Sequence, residues 1–449
     1  MKRRSFLSSA GAGAAAFTLL PRHVLGGTGY KTPSDKLNIA GVGVGGMGAN
    51  YLKGCESENI VALADVDDNL VAPVAARYPQ AKVYRDFRKL LDERKDIDAV
   101  IIGTPDHTHA TVGLAAMALG KHVYCAKPMT RTIYEARKMT RTAKEKKLAT
   151  QMSVQSCCSD EALSTVEWVQ SGAIGAVREV HVWTDRPVWP QAVRRPRETP
   201  PVPAGLDWDL WIGPAPLRPY HPVYHPFSWR GWCDFGTGAL GDMACHTFHI
   251  IFQALKLGAP LSAHGSSAFS REVALDGTGG WMRSRLIDTG ETFPNASSVT
   301  WDFAARGAMP PVRMTWYEGG LKPPRPPEMD PKRPFKDDGL LFVGEKGTIL
   351  SGFAGGPRIV IGQKDFTPPA KTLARSIGHY QEWINAAKGG PAANCEFGFA
   401  GLLAETALLG VVAIRTQKYL EWDAEAMRIT NEPDANQFVQ GMYRAGWSL

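Results

Sequence analysis

Residues 36–65 constrain this chain more than any other stretch. Leu37-Asn38-Ile39-Ala40-Gly41-Val42 is a short apolar run of strand character, and it enters Gly43-Val44-Gly45-Gly46-Met47-Gly48, a G-x-G-x-x-G turn. A short helical stretch follows over residues 49–55, and Ile60-Val61-Ala62-Leu63-Ala64 reads as a second buried strand that ends at Asp65. Strand, glycine turn, helix, strand and acid in that order form a dinucleotide-binding βαβ unit. Gly43 permits the tight turn, and Gly45 lets a pyrophosphate approach the backbone. Gly48 lets the helix pack closely on the strand, while Gly46 and Met47 complete the turn. The helix N-terminus offers unpaired N–H groups and a partial positive charge to phosphate. Asp65 stands where a carboxylate accepts hydrogen bonds from the adenosine ribose and repels a 2′-phosphate, so the pattern favours NAD over NADP.

The βα alternation continues. Residues 69–78 are helical in pattern, Lys82-Val83-Tyr84 is a short strand, and residues 86–94 form a helix with Phe87, Leu90 and Leu91 on one face. Ala99-Val100-Ile101-Ile102-Gly103 is a continuous apolar run, as expected of a parallel strand buried on both faces. It ends at Thr104-Pro105-Asp106-His107-Thr108-His109, the carboxyl end of a strand, where open α/β sheets place their ligands. A helix over 110–119, a strand His122-Val123-Tyr124-Cys125, the segment Ala126-Lys127-Pro128-Met129, a helix over 133–146 and a strand over 149–154 complete this unit.

From Gln155 the pattern changes. A helix is expected over 160–171, closed by Gly172, and a half-buried strand over 177–183. Residues 185–234 are dense in Pro, Trp, Arg and His and read as an insertion of loops. A helix over 236–257 follows, then strands near 263–265, 298–303, 312–316 and 339–350, a Pro-rich loop over 319–335, and closing helices over 377–387 and 398–418. The expected architecture is α/β: a Rossmann dinucleotide-binding domain at 36–154, then an α+β domain at 155–449 with a large, mostly antiparallel open sheet.

The N-terminal 26 residues read as an export signal. Lys2-Arg3-Arg4-Ser5-Phe6-Leu7 has the twin-arginine pattern, and a mildly apolar stretch over 9–20 follows that is too short to span a bilayer. Residues 27–35 form a polar arm. A periplasmic protein exported already folded is the expectation, and no stable membrane span is expected elsewhere. The formal charge of +7 includes Lys2, Arg3, Arg4 and Arg22 of that acid-free segment, so charge gives no case for nucleic-acid binding. Seven cysteines, an odd count in a chain expected to fold before export, argue against a disulfide framework; no C-x-x-C pattern marks zinc or redox work, and most read as buried small hydrophobes. His181, Asp185, His221 and His225 are scattered through strands and loops without ligand spacing, so no metal is expected.

Two clusters carry chemistry besides the glycine turn. Lys127-Pro128 stands at a strand end. Gly241-Asp242-Met243-Ala244-Cys245-His246 places Asp242 and His246 at i, i+4 on one helical face. A carboxylate beside an imidazole orients the ring and stabilises its protonated form, as a base accepting an alcohol proton requires. His107 and His109 contact a ribose or cap the following helix. Trp229-Arg230-Gly231-Trp232, just before the Asp242 helix, either presents aromatic faces and a cation to a sugar or anchors the loop in the core.

These features together resemble the Gfo/Idh/MocA oxidoreductases, on the turn at 43–48, Asp65, the Thr104–His109 segment, Lys127-Pro128 and the D-x-x-x-H pair Asp242/His246. Ala126 stands where that family carries glutamate. Gln155, at the end of Gln151-Met152-Ser153-Val154-Gln155, is similar to a cofactor-side segment and is a candidate nicotinamide or substrate contact. The resemblance implies hydride transfer between a carbohydrate or polyol carbon and NAD. In that reading His246 takes the hydroxyl proton, Lys127 donates to the reacting oxygen, and Asp242 contacts a neighbouring hydroxyl or orients His246. The open sheet expected in the second domain offers a face or edge for a homo-oligomer, a dimer or tetramer. Two other readings are a glycoside-cleaving enzyme that uses bound NAD transiently and a non-catalytic carbohydrate-binding protein.

Overall fold

A computed structural model describes residues 35–272, 285–361 and 366–449; the export signal and nearly all of the arm lie outside these. The first domain alternates strand and helix: β1 Asn38–Val42, α1 Met47–Gly54, β2 Asn59–Ala64, α2 Asp68–Arg77, β3 Lys82–Tyr84, α3 Phe87–Glu93, β4 Ala99–Ile102, α4 Asp106–Ala118, β5 His122–Cys125, α5 Ile133–Glu145 and β6 Thr150–Met152. The six strands form one parallel sheet in the order β3-β2-β1-β4-β5-β6. The order reverses between β1 and β4, so a crevice opens at their carboxyl ends. β4 is buried along its whole length, as its unbroken apolar run requires. Helix α4 begins four residues before the expected start because Pro105 is its N-cap, so Asp106, His107 and His109 project from a first turn and not from a loop.

The second domain begins with a 3-10 turn at Gln155–Cys158, then α6 Asp160–Gln170, β7 Val177–Trp183, the short α7 Trp208–Ile212, and α8 Gly238–Leu255. The strands β8 Ser262–Ala268, β9 Arg271–Glu272, β10 Arg285–Leu286, β11 Ala296–Phe303, β12 Val312–Glu318, β13 Gly339–Gly344, β14 Gly347–Ser351 and β15 Pro357–Ile361 follow, then α9 His379–Ala387, α10 Phe397–Thr416, β16 Tyr419–Asp423, β17 Arg428–Ile429 and the short α11 Gln437–Gln440. Nine strands make one sheet in the order β15-β14-β13-β7-β12-β11-β8-β16-β17. It is antiparallel apart from the β7–β12 pair. β7 is half-buried as expected, with Arg178 and Glu179 exposed together, and β11 reads intermediate and buried in strict turn. The sequence pattern missed β9, β10, β15, β16 and β17, which are short or edge strands, and the run expected over 339–350 is the β13–β14 hairpin.

Helices α8 and α10 cover one face of this sheet. Helix α10 is long and apolar enough to cross a membrane, which the sequence reading did not credit to it; most of it is buried inside the fold. It is apolar all round because it is packed on several sides, against α5, α8 and β8. The loops over 185–234, with the adjoining Phe235, fold into a separate aromatic cluster that includes Trp211, Tyr224 and Trp232. This lobe touches the first domain at β2's end, where Asp207 N donates to Val66 O at 2.8 Å and His225 Nε2 meets Asp67 Oδ2 at 2.9 Å.

Candidate active site

The glycine turn has the geometry its residues imply. Gly43 adopts φ +71°, and a Cβ there would meet Thr104 N at 2.5 Å. A Cβ on Gly48 would lie 2.0 Å from Gly43 O, so only glycine allows α1 to approach β1 this closely. A Cβ on Gly45 would touch Leu70, whereas Gly46 faces open space at φ +51°. The backbone N–H groups of Gly46 and Met47 have no partner among the described residues. That open surface, at the start of α1, is a cradle for phosphate.

Asp65 departs from expectation. Its Oδ2 accepts from Val44 N at 2.8 Å and Gly45 N at 3.2 Å, and Oδ1 accepts from Asp67 N at 3.1 Å. The carboxylate first holds the turn in shape. Of its four lone-pair sites, three are used and one is left for a ribose hydroxyl. Burial pushes its pKa up against these hydrogen bonds.

Lys127, Asp242 and Arg230 come together at the carboxyl end of β5. Lys127 Nζ lies 2.9 Å from Asp242 Oδ1 and donates to the Asp242 carbonyl at 3.0 Å. Arg230 Nε donates to the same Oδ1 at 3.2 Å. Asp242 is buried, and the Lys127 and Arg230 cations outweigh its burial and hold its carboxyl below the usual range. An ammonium has three donors, so one N–H of Lys127 is left for a ligand. The lysine is fixed from behind, where Lys127 N donates to Ser153 Oγ and Ser153 Oγ donates to Tyr51 OH, each at 3.0 Å. His109 bridges the turn, with Nδ1 on Pro128 O at 2.8 Å and Nε2 on Thr104 O at 2.7 Å.

His246 lies one turn beyond Asp242 on α8, half-buried, and neither ring nitrogen has a hydrogen-bond partner among the described residues. Burial and then the Lys127 cation lower its pKa to about 4, against the opposing charge of Asp242. The ring is therefore neutral at pH 7 and has a nitrogen lone pair to accept a proton. Asp242 does not orient the ring by a hydrogen bond, as the i, i+4 spacing suggested; its oxygens serve Lys127 and Arg230.

Other expected residues fall elsewhere. His107 is an anchor and not a ribose contact: Nε2 sits on Trp211 O at 2.9 Å, and the ring packs on Trp211 and Phe235. Trp232 is fully buried against Tyr224, so it has no face to offer a sugar. Trp229 is also buried, with the Arg230 guanidinium 4.2 Å from its ring centre. Both tryptophans belong to the lobe's core; Arg230 alone of the three reaches the site. Gln155 donates to Tyr124 OH and Tyr380 OH, each at 3.4 Å, and none of its hydrogen bonds reaches Lys127, Asp242 or His246.

The sequence reading also passed over Asp106, Tyr51 and Ser153. Asp106 takes Thr237 Oγ1 at 2.8 Å on one oxygen, while its Oδ1 is buried with no partner among the described residues. Burial, then the charge of Asp242, raises its pKa to about 7. Thr104 Oγ1 is likewise buried and unpartnered, beside the glycine turn. The open backbone at Gly46, the spare acceptor on Asp65 and the orphan polar atoms at β4's end fit a dinucleotide laid across the strand ends.

Fold and site together define a two-domain protein whose first domain is built to hold a dinucleotide. Comparison with known proteins makes this specific. Residues 37–154 match a model described as an oxidoreductase family with an NAD-binding Rossmann fold, and residues 175–257 match that family's C-terminal α/β domain. Residues 37–154 and 175–257 thus carry the two domains of the Gfo/Idh/MocA oxidoreductases. A levoglucosan dehydrogenase of Pseudarthrobacter phenanthrenivorans is 28% identical over 41% of this chain and 39% of its own length. An inositol 2-dehydrogenase of Klebsiella pneumoniae is 35% identical over 21% of this chain and 30% of its own length. The chain thus spans two fifths or less of these curated relatives. Among solved structures, a levoglucosan dehydrogenase in complex with NADH and L-sorbose superposes with a TM-score of 0.54 at 18% identity, covering 87% of this chain and 100% of that one. The WlbA dehydrogenase from Bordetella pertussis, in complex with NADH and UDP-GlcNAcA, gives 0.58 at 16% identity, covering 86% and 99%. At these identities the likeness is one of fold.

Proposed function

We propose that this protein is an NAD-dependent oxidoreductase acting on the CH–OH group of a sugar, polyol or glycoside. The observation that carries this is the Lys127–Asp242 pair at 2.9 Å, with an unpaired, neutral His246 one turn further along the same helix. NAD, held by the glycine turn, Asp65 and Thr104, would supply the hydride acceptor. The chain's own groups do the rest. Lys127 directs its remaining N–H at the substrate oxygen and limits the charge that builds there as the O–H bond breaks. His246 Nδ1 or Nε2 receives that proton, and the buried Asp242 charge favours the resulting imidazolium. Arg230 and the walls of the aromatic lobe keep Asp242 desolvated, which strengthens these interactions.

The signal-like segment at 2–7 supports export by the twin-arginine route and a periplasmic location. There the cofactor would be tightly held and recycled within one site, and the open sheet would support a dimer or tetramer. The test is mass and absorbance spectra of the purified mature protein, before and after adding a panel of sugars, polyols and glycosides. A released NAD mass and a reduced-nicotinamide band that rises with one member are expected. A protein that carries no nucleotide and takes none up would overturn the proposal.

A further inference from the structure

A second constellation of reactive side chains lies behind the nucleotide sheet. Cys157 and Cys158 sit in the 3-10 turn after β6, and His379 is the first residue of α9. More than two hundred positions separate them in sequence, and no C-x-x-C spacing marks them. In the fold the two sulfurs are 3.7 Å apart, and His379 Nδ1 is 3.8 Å from Cys157 Sγ and 3.7 Å from Cys158 Sγ.

These lengths carry the argument. Zinc binds thiolate at about 2.3 Å and imidazole at about 2.0–2.1 Å, and tetrahedral angles then put paired donors about 3.5–3.8 Å apart. All three edges lie within or close to that range. The imidazole is also in the ligand tautomer. Gln151 Oε1 accepts from Cys395 N at 3.1 Å, which turns its amide nitrogen toward His379 Nδ1 at 3.0 Å. Nδ1 is therefore the unprotonated nitrogen, and Nε2–H donates to Tyr124 OH at 3.1 Å. A ligating histidine held through its other nitrogen is the usual arrangement around a metal. Gln151 also donates to His379 O at 3.2 Å, so yielding Nδ1 to a cation leaves its amide paired.

We propose that Cys157, Cys158 and His379 bind a divalent cation of the zinc class. Glu382, whose Oε2 lies 3.3 Å from Cys158 Sγ, flanks the site, and the remaining position is left to water. Binding forms two sulfur–metal bonds and one nitrogen–metal bond and releases the two thiol protons to solvent. The site is structural. It ties the turn at 155–158 to α9, and that turn also carries Ser156, whose hydroxyl meets His249 Nε2 of α8 at 3.1 Å. The cation thereby braces α8, the helix that presents Asp242 and His246, against the nucleotide domain.

The test is independent of any substrate. The full mature chain is stripped with a chelator, reloaded with zinc or cobalt, and gel-filtered, and its metal content and absorption spectrum are then measured. One zinc per chain is expected, along with a thiolate-to-cobalt charge-transfer band. Cys157→Ser, Cys158→Ser and His379→Gln should each lose the metal and the band. A wild-type chain that retains no stoichiometric metal and shows no band would overturn the proposal, whatever the variants do. A Cys157–Cys158 disulfide in the peptide map of protein prepared under metal, or a Cys158→Ser variant that loads like wild type, would overturn it equally.

Discussion

Replacing Lys127 with methionine separates its two roles in the site. The substitution keeps the bulk of the stem and removes the ammonium. Asp242 loses its 2.9 Å partner but keeps Arg230 at 3.2 Å. The stability cost is therefore about that of one charge-assisted hydrogen bond, about 2 kcal/mol, and not that of an orphaned buried carboxylate, about 3–5 kcal/mol. The loss of a donor at the reacting oxygen should lower the rate of the hydride-transfer half-reaction by about 10²–10³. The same change acts on His246. Lys127 is the main charged group that lowers its pKa, so without the lysine that pKa rises from about 4 toward the ordinary histidine range. The acid limb of kcat/KM for alcohol oxidation, where protonation of His246 removes the base, should move to higher pH. Asp242→Asn should move the limb the opposite way, because the Asp242 charge raises the His246 pKa. The assay is pre-steady-state reduction of bound nicotinamide across a pH series, with a melting curve for each variant. A rate loss with an unmoved acid limb, or limbs that move the same way in both variants, would refute the electrostatic coupling on which the mechanism rests.

Other expectations concern the scaffold. Glu318 is buried, holds Ser297 and the Trp316 indole at 2.7 and 2.9 Å, and has a pKa raised to about 7 by burial. Its native carboxyl keeps a proton that the unfolded chain releases near pH 4.5, so stability is full below that pH and is lost by about 3 kcal/mol as pH rises to 7. Glu318→Gln should remove this loss, and denaturant midpoints at pH 5 and 8 check it. Gly48→Ala places a methyl 2.0 Å from Gly43 O and should abolish nucleotide retention in gel filtration, whereas Gly46→Ala, with only a positive φ to oppose it, should weaken binding far less. Trp232→Ala should cost about 3–5 kcal/mol of stability in chemical denaturation, since the ring lies in the lobe's core. A variant as stable as wild type but with raised KM would return Trp232 to the substrate side.

Local chemistry made much of the molecule legible before any coordinate. The glycine turn and the unbroken apolar strands are patterns in which neighbouring residues alone satisfy or break a backbone rule. They determined a Rossmann domain at the start, a large sheet afterwards, and Lys127, Asp242 and His246 as the groups to watch. What sequence spacing could not decide was which partner each polar group takes, because those partners come from other elements. Asp242 and His246 share a helical face, yet the carboxylate turns to Lys127, 115 positions away. Asp65 ends the predicted strand, yet the free N–H groups of the glycine turn claim its oxygens first. Trp232 and His107 are polar-tipped aromatics in loop and helix, and only the packing of the lobe made them core. Cys157, Cys158 and His379 carry no motif at all; the tertiary fold alone brings His379 of α9 to the neighbouring pair of thiols after β6.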